Sequence, residues 1–344
     1  MKIVVDKAVP FISGVFEPYA EVVYLDCDKI DAEAVRDADA LVTRTRTRCD
    51  AALLEGSQVK MIASATIGLD HVDLPWCDAH GILVRNAPGC NAGGVAQYVF
   101  SALYGAASRG GINLEGDTIG IIGVGHVGRR VESMARALGF KILKNDPPRE
   151  AAEGSYEFCS LEHLLKHSDI VTMHVPLDDS TRNMAGRDFF KKMRPHAIFI
   201  NASRGEVVDE EALTEAIPRL GPVIIDTWKN EPDVNPKLMD MVTIATPHIA
   251  GYSYQGKQNG TAAAVRAIAH YFGISPLYEF FPPTEHPENE AVRLDLRGMR
   301  QGEITSVFQY NYPVFTDDFM FRMHPGDFER LRSEYKYRRE VYID

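Results

Sequence analysis

Thr118-Ile119-Gly120-Ile121-Ile122-Gly123-Val124-Gly125-His126-Val127-Gly128 is the stretch whose reading decides the fold. A β-branched apolar run passes straight into Gly-x-Gly-x-x-Gly. Val127, Val131, Met134, Ala135 and Leu138 then share one face of a helix that Gly139 can stop. The three glycines serve different ends. Gly123 allows the tight bend, Gly125 lets the backbone approach a pyrophosphate, and Gly128 lets helix and strand pack closely. The helix start adds unpaired N–H groups and partial positive charge toward that pyrophosphate. A second strand, Lys141–Lys144, follows, and Asp146 stands 18 residues beyond Gly128. An acid there accepts from the adenosine ribose hydroxyls and repels a 2′-phosphate. The turn reads as a dinucleotide site that prefers NAD to NADP, with Lys144 and Arg149 as the nearby cations able to weaken that preference.

Around this turn, short apolar runs alternate with helix-like stretches. Strands are predicted at Ile3–Val5, Val22–Tyr24, Ala40–Thr43, Met61–Ser64, Ile82–Arg85, Thr118–Gly123, Lys141–Lys144, Ile170–His174, Ala197–Asn201, Val223–Asp226 and Val242–Thr246. They lack period-2 alternation, as strands buried on both faces do, and the helices between them make the class α/β with parallel sheets. There are too many for one open sheet with a single Gly-rich turn, so two doubly wound, Rossmann-like domains are expected. The break falls in the turn-rich Ala87–Gly94, before a helix Val95–Ser108. A second crossing falls near His248–Gly251, before a helix Gly260–Phe272. Residues 1–92 with 249–272 would form a substrate-binding domain and 93–248 a nucleotide domain.

After Gly273 the texture changes: Pro276, Pro282, Pro283 and Pro287 punctuate an acid-rich segment, and Pro325–Glu340 is charged and helix-prone. About 70 residues with so little core are marginal alone. A small C-terminal α+β module, 273–344, packed on a neighbour or a sister subunit is expected.

Composition narrows the function. The 344 residues are 45% hydrophobic and 25% charged, and 37 Lys and Arg against 48 Asp and Glu leave a net charge of −11. That excludes a general nucleic-acid binder, which needs a basic surface. No apolar run approaches the roughly 20 residues of a membrane helix. Met1-Lys2-Ile3-Val4-Val5-Asp6 enters a strand directly, without signal-peptide anatomy, so a cytoplasmic protein is expected. Cys27, Cys49, Cys77, Cys90 and Cys159 are scattered and odd in number, which argues against a disulfide framework. His163 and His167 have helical spacing but no third ligand nearby, so they read as surface histidines and no metal is expected.

Three strand ends carry charge: Ala197–Asn201 leads to Arg204, Val223–Asp226 to Glu231, and Val242–Thr246 to His248. Ligands of open α/β sheets sit at carboxyl ends of strands, so these loops are expected to converge on the nicotinamide. The residue types suit oxidation of a 2-hydroxy acid. Histidine can take the hydroxyl proton, a carboxylate can fix its tautomer, and arginine offers a fork to the substrate carboxylate.

Gly123-x-Gly125-x-x-Gly128, Asn201-Ala202-Ser203-Arg204-Gly205-x-x-Val208-Asp209, Asp226-x-Trp228-x-x-Glu231-Pro232 and Thr246-Pro247-His248-Ile249-Ala250-Gly251 resemble, in order and spacing, the D-isomer-specific 2-hydroxyacid dehydrogenases. The resemblance covers most of residues 1–272 and implies Arg204, Glu231 and His248 as the catalytic set, with Asp226 near the nicotinamide. Ala65-Thr66-x-Gly68-x-Asp70-His71-Val72-Asp73, Ala87-Pro88-Gly89-Cys90-Asn91-Ala92 and Asp146-Pro147-Pro148-Arg149 are similar to one branch of that family, which carries an extra C-terminal module used for dimerisation. This likeness implies NAD contacts at Asp146, Thr172, Asp226 and Gly251, substrate contacts at Thr45, Thr66 and Tyr252, and a homodimer. With the glycine turn, the expected cofactor set also includes His126, Val127 and Ala202. Backbone N–H groups near Ile67 and Gly68 are expected to complete a carboxylate site.

Thr43-Arg44-Thr45-Arg46-Thr47-Arg48 alternates cations with hydroxyls after a strand. If extended, it would set Arg44, Arg46 and Arg48 on one face, suited to a dianionic phosphate. The resemblance implies a phosphorylated 2-hydroxy acid as substrate, which this run supports; the alternative is a solvated edge with one arginine in use. The rival readings are a sister dehydrogenase, such as one acting on phosphoglycerate, and an NAD-sensing binding protein. The latter would have no need of a base.

Overall fold

The structure, a computed structural model, describes residues 1–154 and 156–343. The chain divides into two compact units, Met1–Asn91 with Tyr254–Glu290, and Ala92–Ser253 with Ala291–Asp344.

The first unit holds β1 (Lys2–Asp6), β2 (Glu21–Leu25), β3 (Ala40–Thr43), β4 (Met61–Ser64) and β5 (Leu83–Arg85) in one parallel sheet of order β2-β1-β3-β4-β5. Ile3 and Val5 point to one core with Val42, Met61 and Ala63, which the helix Tyr254–Phe272 covers with Val265 and Ile268. Val4, Leu41 and Ile62 point to the other, which explains the absence of alternation. The strand order reverses between β1 and β3, so the loops after these strands flank the crevice where ligands of open sheets bind.

The second unit holds β6 (Thr118–Ile122), β7 (Lys141–Asn145), β8 (Ile170–Met173), β9 (Ile198–Asn201), β10 (Val223–Ile225) and β11 (Ile244–Ala245) in the order β11-β10-β9-β8-β6-β7, all parallel. Here the order reverses between β6 and β8, and β6 is the strand that opens into the glycine turn. The helix Ala92–Gly110 is buried along most of its length.

All eleven predicted strands have counterparts, but the crossings differ from those expected. The chain passes between units at Asn91/Ala92, Ser253/Tyr254 and Glu290/Ala291, so residues 273–290 of the expected C-terminal module belong to the first unit. Gly251 and Tyr252 therefore sit with the nucleotide turn. The C-terminal residues also differ from the expectation. Only Phe328–Ser333 of Pro325–Glu340 is α-helical, and the chain ends in β13 (Val341–Ile343), paired in parallel with β12 (Val292–Leu294). Residues from 291 onward join the second unit because their apolar side chains enter its core: Phe308 stacks on Tyr104 with ring centres 5.4 Å apart, and Phe321 meets Trp228 edge-on at 6.0 Å. Polar ties accompany them. Ser101 Oγ donates to the Tyr312 carbonyl at 2.6 Å, and Gln309 Nε2 donates to the Ser101 carbonyl at 2.8 Å.

Candidate active site

The turn after β6 has the geometry its glycines predict. Gly123 has φ +82°, and a Cβ there would lie 2.7 Å from the His174 carbonyl carbon; one on Gly128 would lie 2.1 Å from the Gly123 oxygen. A Cβ on Gly125 would meet nothing within 4 Å. Gly125 caps the helix His126–Ala137 without a side-chain hydrogen bond to its first N–H groups. Asp146, directly after β7, accepts from Val124 N at 2.7 Å and from Arg149 N at 3.1 Å, which fixes its carboxylate against the turn. Lys144 is held by Glu132 at 3.0 Å and Glu157 at 2.6 Å, and Arg149 by Glu153 at 2.6 Å. Both cations are thus engaged by other acids, and Arg149 also feels the charge of Asp146. Thr172 lies in β8, its hydroxyl 3.0 Å from His174 Nε2. Burial pushes the His174 imidazole down to about 3, and its Nδ1 is out of solvent without a partner. This open cradle, with a fixed acid beside it, fits a dinucleotide. The sequence pattern did not single out His174; its position at the end of the strand beside β6 was the available signal.

The loops after β9, β10 and β11 are interlocked. His248 Nδ1 and Glu231 Oε2 are 2.7 Å apart, and Glu231 Oε1 accepts from Trp228 N at 2.8 Å. Buried Trp228 in turn donates its indole N–H to the Thr246 carbonyl at 2.8 Å. His248 has φ +54°, a left-handed turn rare for a side-chain-bearing residue and enriched at active sites. Its N–H donates to the Asp226 carbonyl at 2.7 Å. Asp226 is buried and accepts from Thr246 Oγ1 at 2.7 Å, Ile249 N at 2.8 Å and Ala250 N at 3.0 Å. Burial still pushes its carboxyl above the usual range. For Glu231 burial acts the same way, but the His248 ring and the Trp228 N–H outweigh it and hold the carboxyl low. Arg204 follows β9, with its carbonyl accepting from Asn201 Nδ2 at 3.0 Å. The next residue, Gly205, approaches Trp228 so closely that a Cβ would lie 1.9 Å from the Trp228 carbonyl carbon. The arginine loop and the glutamate loop are thus packed backbone to backbone. Within the second unit, the expected Arg204, Glu231, His248 and Asp226 all stand at ends of adjacent strands.

In the first unit, the expected substrate residues follow β3 and β4, which are neighbours in the sheet. The Arg44–Arg48 segment bends instead of running extended, so period-2 alternation fails. Arg44 turns inward, with Nε 3.5 Å from buried Asp6, while Arg48 turns out to Asp50 at 2.6 Å. Thr47 is buried, whereas Thr45 and Arg46 are exposed. Three guanidiniums on one face is therefore not the arrangement found. After β4, Thr66 Oγ1 lies 2.8 Å from Ser64 Oγ, and Asn86 Nδ2 donates to the Ile67 carbonyl at 2.7 Å. Ile67 and Gly68 are partly exposed. A Cβ on Gly260 would lie 2.3 Å from the Ala65 carbonyl oxygen, so the helix Tyr254–Phe272 seats this loop.

Residues 96–250 match the family model of the D-isomer specific 2-hydroxyacid dehydrogenase, NAD binding domain. Over 99% of its length the chain is 43% identical to erythronate-4-phosphate dehydrogenase of Bacteroides fragilis, covering 97% of that protein. The chain belongs to the D-isomer-specific 2-hydroxyacid dehydrogenases. It is also 39% identical to erythronate-4-phosphate dehydrogenase of Porphyromonas gingivalis over 99% of this chain and 94% of the relative. Among solved structures it is similar to the NAD+-bound 3-phosphoglycerate dehydrogenase of Entamoeba histolytica, with a TM-score of 0.69 and 27% identity, over 81% of this chain and 97% of the other. NAD is accordingly the cofactor of this dehydrogenase.

The segment after His248 is held by residues that the sequence pattern did not single out. Buried Arg338 donates to the carbonyls of Ile249 at 3.2 Å, Tyr252 at 3.3 Å, Gly94 at 3.1 Å and, closer still, Ala250. Buried Glu340 accepts from Ser253 Oγ at 2.6 Å. Residues 338–340 thereby clamp the segment that follows His248. In the sequence they look like solvated charge, and no local pattern distinguishes them.

Proposed function

We propose that this chain oxidises 4-phospho-D-erythronate at C2, giving 2-oxo-3-hydroxy-4-phosphobutanoate, NADH and a proton, as a step of pyridoxal 5′-phosphate biosynthesis. The observation that carries the chemistry is the His248–Glu231 pair at 2.7 Å, one strand end away from Arg204. Full-length likeness to erythronate-4-phosphate dehydrogenases supports the substrate. Bound NAD supplies the acceptor for the C2 hydride. Glu231, ionised because its pKa is held low, fixes Nδ1 of His248 as the nitrogen facing it. Nε2 is left to take the C2 hydroxyl proton, and Glu231 stabilises the imidazolium that results. Arg204 holds the substrate carboxylate and polarises the forming carbonyl. Thr45, Thr66, Ile67 and Gly68 line the substrate side in this reading, with Arg44 and Arg46 as cations for the phosphate.

The test is single-turnover NADH formation with 4-phospho-D-erythronate, unphosphorylated erythronate and 3-phosphoglycerate, which keeps chemistry apart from product release. Strong reduction with the first alone is expected. Preference for 3-phosphoglycerate would keep the mechanism and replace the substrate. No reduction with any of them would favour a binding role.

The functional unit in this reading is a cytoplasmic homodimer. Five cysteines, all free, suit a reducing compartment. Tyr310, Phe319 and Met323, which are 83%, 60% and 58% exposed, offer an apolar surface to a second copy. Because residues from 291 onward are built into the core, truncation would unfold the unit. Phe319→Glu with Met323→Glu is the cleaner probe, with a monomer expected in sedimentation.

A further inference from the structure

Arg332 lies on the short helix Phe328–Ser333, about eighty residues beyond the catalytic loop in sequence, yet it reaches that loop in space. Its Cζ is 5.8 Å from the centre of the Tyr252 ring and 5.4 Å from that of Phe328. Tyr252 stands four residues after His248, and Arg338 holds its carbonyl. The Arg332 side chain is only 15% exposed, and its ion pair with Glu329 is loose at 3.4 Å. Its Nε is buried without a hydrogen-bond partner. Burial opposes its charge, but the nearby Tyr252 oxygen, Glu231 and Glu329 sustain it. A buried guanidinium with an unused donor is costly unless an anion completes it.

We propose that Arg332 is a substrate-binding residue that takes the phosphate of the sugar acid beside Tyr252. The proposal rests on the substrate reading above. Arg204, at the end of β9, is committed there to the carboxylate, so within the second unit the phosphate calls for a second cation, beside any contribution of Arg44 and Arg46. A guanidinium matches a phosphate bidentately, and a tyrosine hydroxyl beside it adds a donor. The solved structures cover about four-fifths of this chain and nearly all of their own length, whereas the relatives named erythronate-4-phosphate dehydrogenase align over 99% of it. Arg332 belongs to the residues from 291 onward that are built into the second unit, the unit that holds Arg204 and His248.

The experiment compares full-length wild type, Arg332→Gln and Arg332→Lys. Two readings are taken: kcat and KM with 4-phospho-D-erythronate and with unphosphorylated erythronate, and the Kd of inorganic phosphate for the NADH-loaded enzyme by calorimetry. Losing a charge-assisted contact should weaken phosphate binding about tenfold or more, with KM for the phosphorylated acid rising in step. Arg332→Gln should cost the phosphorylated acid at least about tenfold more in kcat/KM than the unphosphorylated one, and Arg332→Lys should recover part of that. Equal losses on the two acids, with phosphate binding kept, would mean that Arg332 only props the Tyr252 loop and would overturn the proposal. So would wild type that binds no phosphate. If another acid proves to be the substrate, the functional reading fails separately, and the phosphate Kd of Arg332→Gln still decides the role of Arg332.

Discussion

Around His248, residues from distant parts of one unit hold each other. Trp228 links Glu231 to Thr246, buried Asp226 gathers Thr246 Oγ1 and two backbone N–H groups, and Arg338 grips the carbonyls that follow. The loops after β3 and β4 are made differently. Some of their polar groups meet near neighbours, such as Ser64 with Thr66 and Arg48 with Asp50, Arg44 reaches Asp6 on β1 only at 3.5 Å, and Thr45 is exposed. Chemistry shared by a whole family needs a base and a carboxylate held to a fraction of an ångström, which packed strand ends provide. Selection of one acid over another can be left to loops with few ties, because a change there leaves the reacting atoms in place.

The sharpest break of this contrast is at the base. His248→Ala should lower kcat by a hundredfold or more while NAD affinity is kept, as loss of a general base does. Near-wild-type turnover in stopped-flow assays would remove His248 from that role. Next is the junction of the arginine and glutamate loops. Gly205→Ala puts a Cβ 1.9 Å from the Trp228 carbonyl carbon, so backbone must move. Overpacking of this kind costs about 1–3 kcal/mol, sometimes more, and a displaced Arg204 adds a loss in kcat/KM. Chemical denaturation with kinetics on the same sample checks both, and an unchanged midpoint and rate would show that the junction is slack.

A smaller effect separates the units by pH. Burial holds His174 at about 3 in the folded chain, against about 6.5 when unfolded. A folded-state histidine depressed in this way adds no penalty above the unfolded value. As pH falls below about 6.5 the unfolded chain binds a proton that the folded chain refuses, so stability drops by up to about 1.4 kcal/mol per pH unit from this group. The loss continues until the folded value is reached. His174→Gln should flatten the acid limb of a stability–pH curve by about one proton. A parallel curve would place the proton uptake elsewhere.

The contrast also explains what was legible in the sequence. Strands buried on both faces announce themselves as β-branched runs, and the glycines at Gly123 and Gly128 are demanded by contacts within one local turn, so the second sheet and its cradle could be read directly. The positions of Arg204, Glu231 and His248 at the ends of adjacent strands could be read because each follows its strand by a short step. The bend at Arg44–Arg48 could not, since Asp6, which draws Arg44 inward, belongs to a different strand. Arg332 and Arg338 lay further out of reach. Both sit in a charged stretch that reads as surface, and only the tertiary path of the last residues buries them.

The smallest expected effect tests the loose side of the comparison. Arg48 has 84% of its side chain in solvent and pairs with Asp50, the cap of the short helix Ala51–Leu54. Such an exposed pair contributes little, because water screens it and both side chains give up freedom to form it. Arg44 differs, with 14% exposure and a buried partner in Asp6. Arg48→Ala should therefore leave KM for the phosphorylated acid within about twofold, the scale of a surface charge. Arg44→Ala should raise KM further and also lower stability, since it strips the buried Asp6 carboxylate of its cation. If Arg48→Ala instead raised KM as much as Arg44→Ala, the arginine would have to swing from Asp50 onto the substrate. The loop after β3 would then order itself on binding, and its looseness would be part of how the acid is selected.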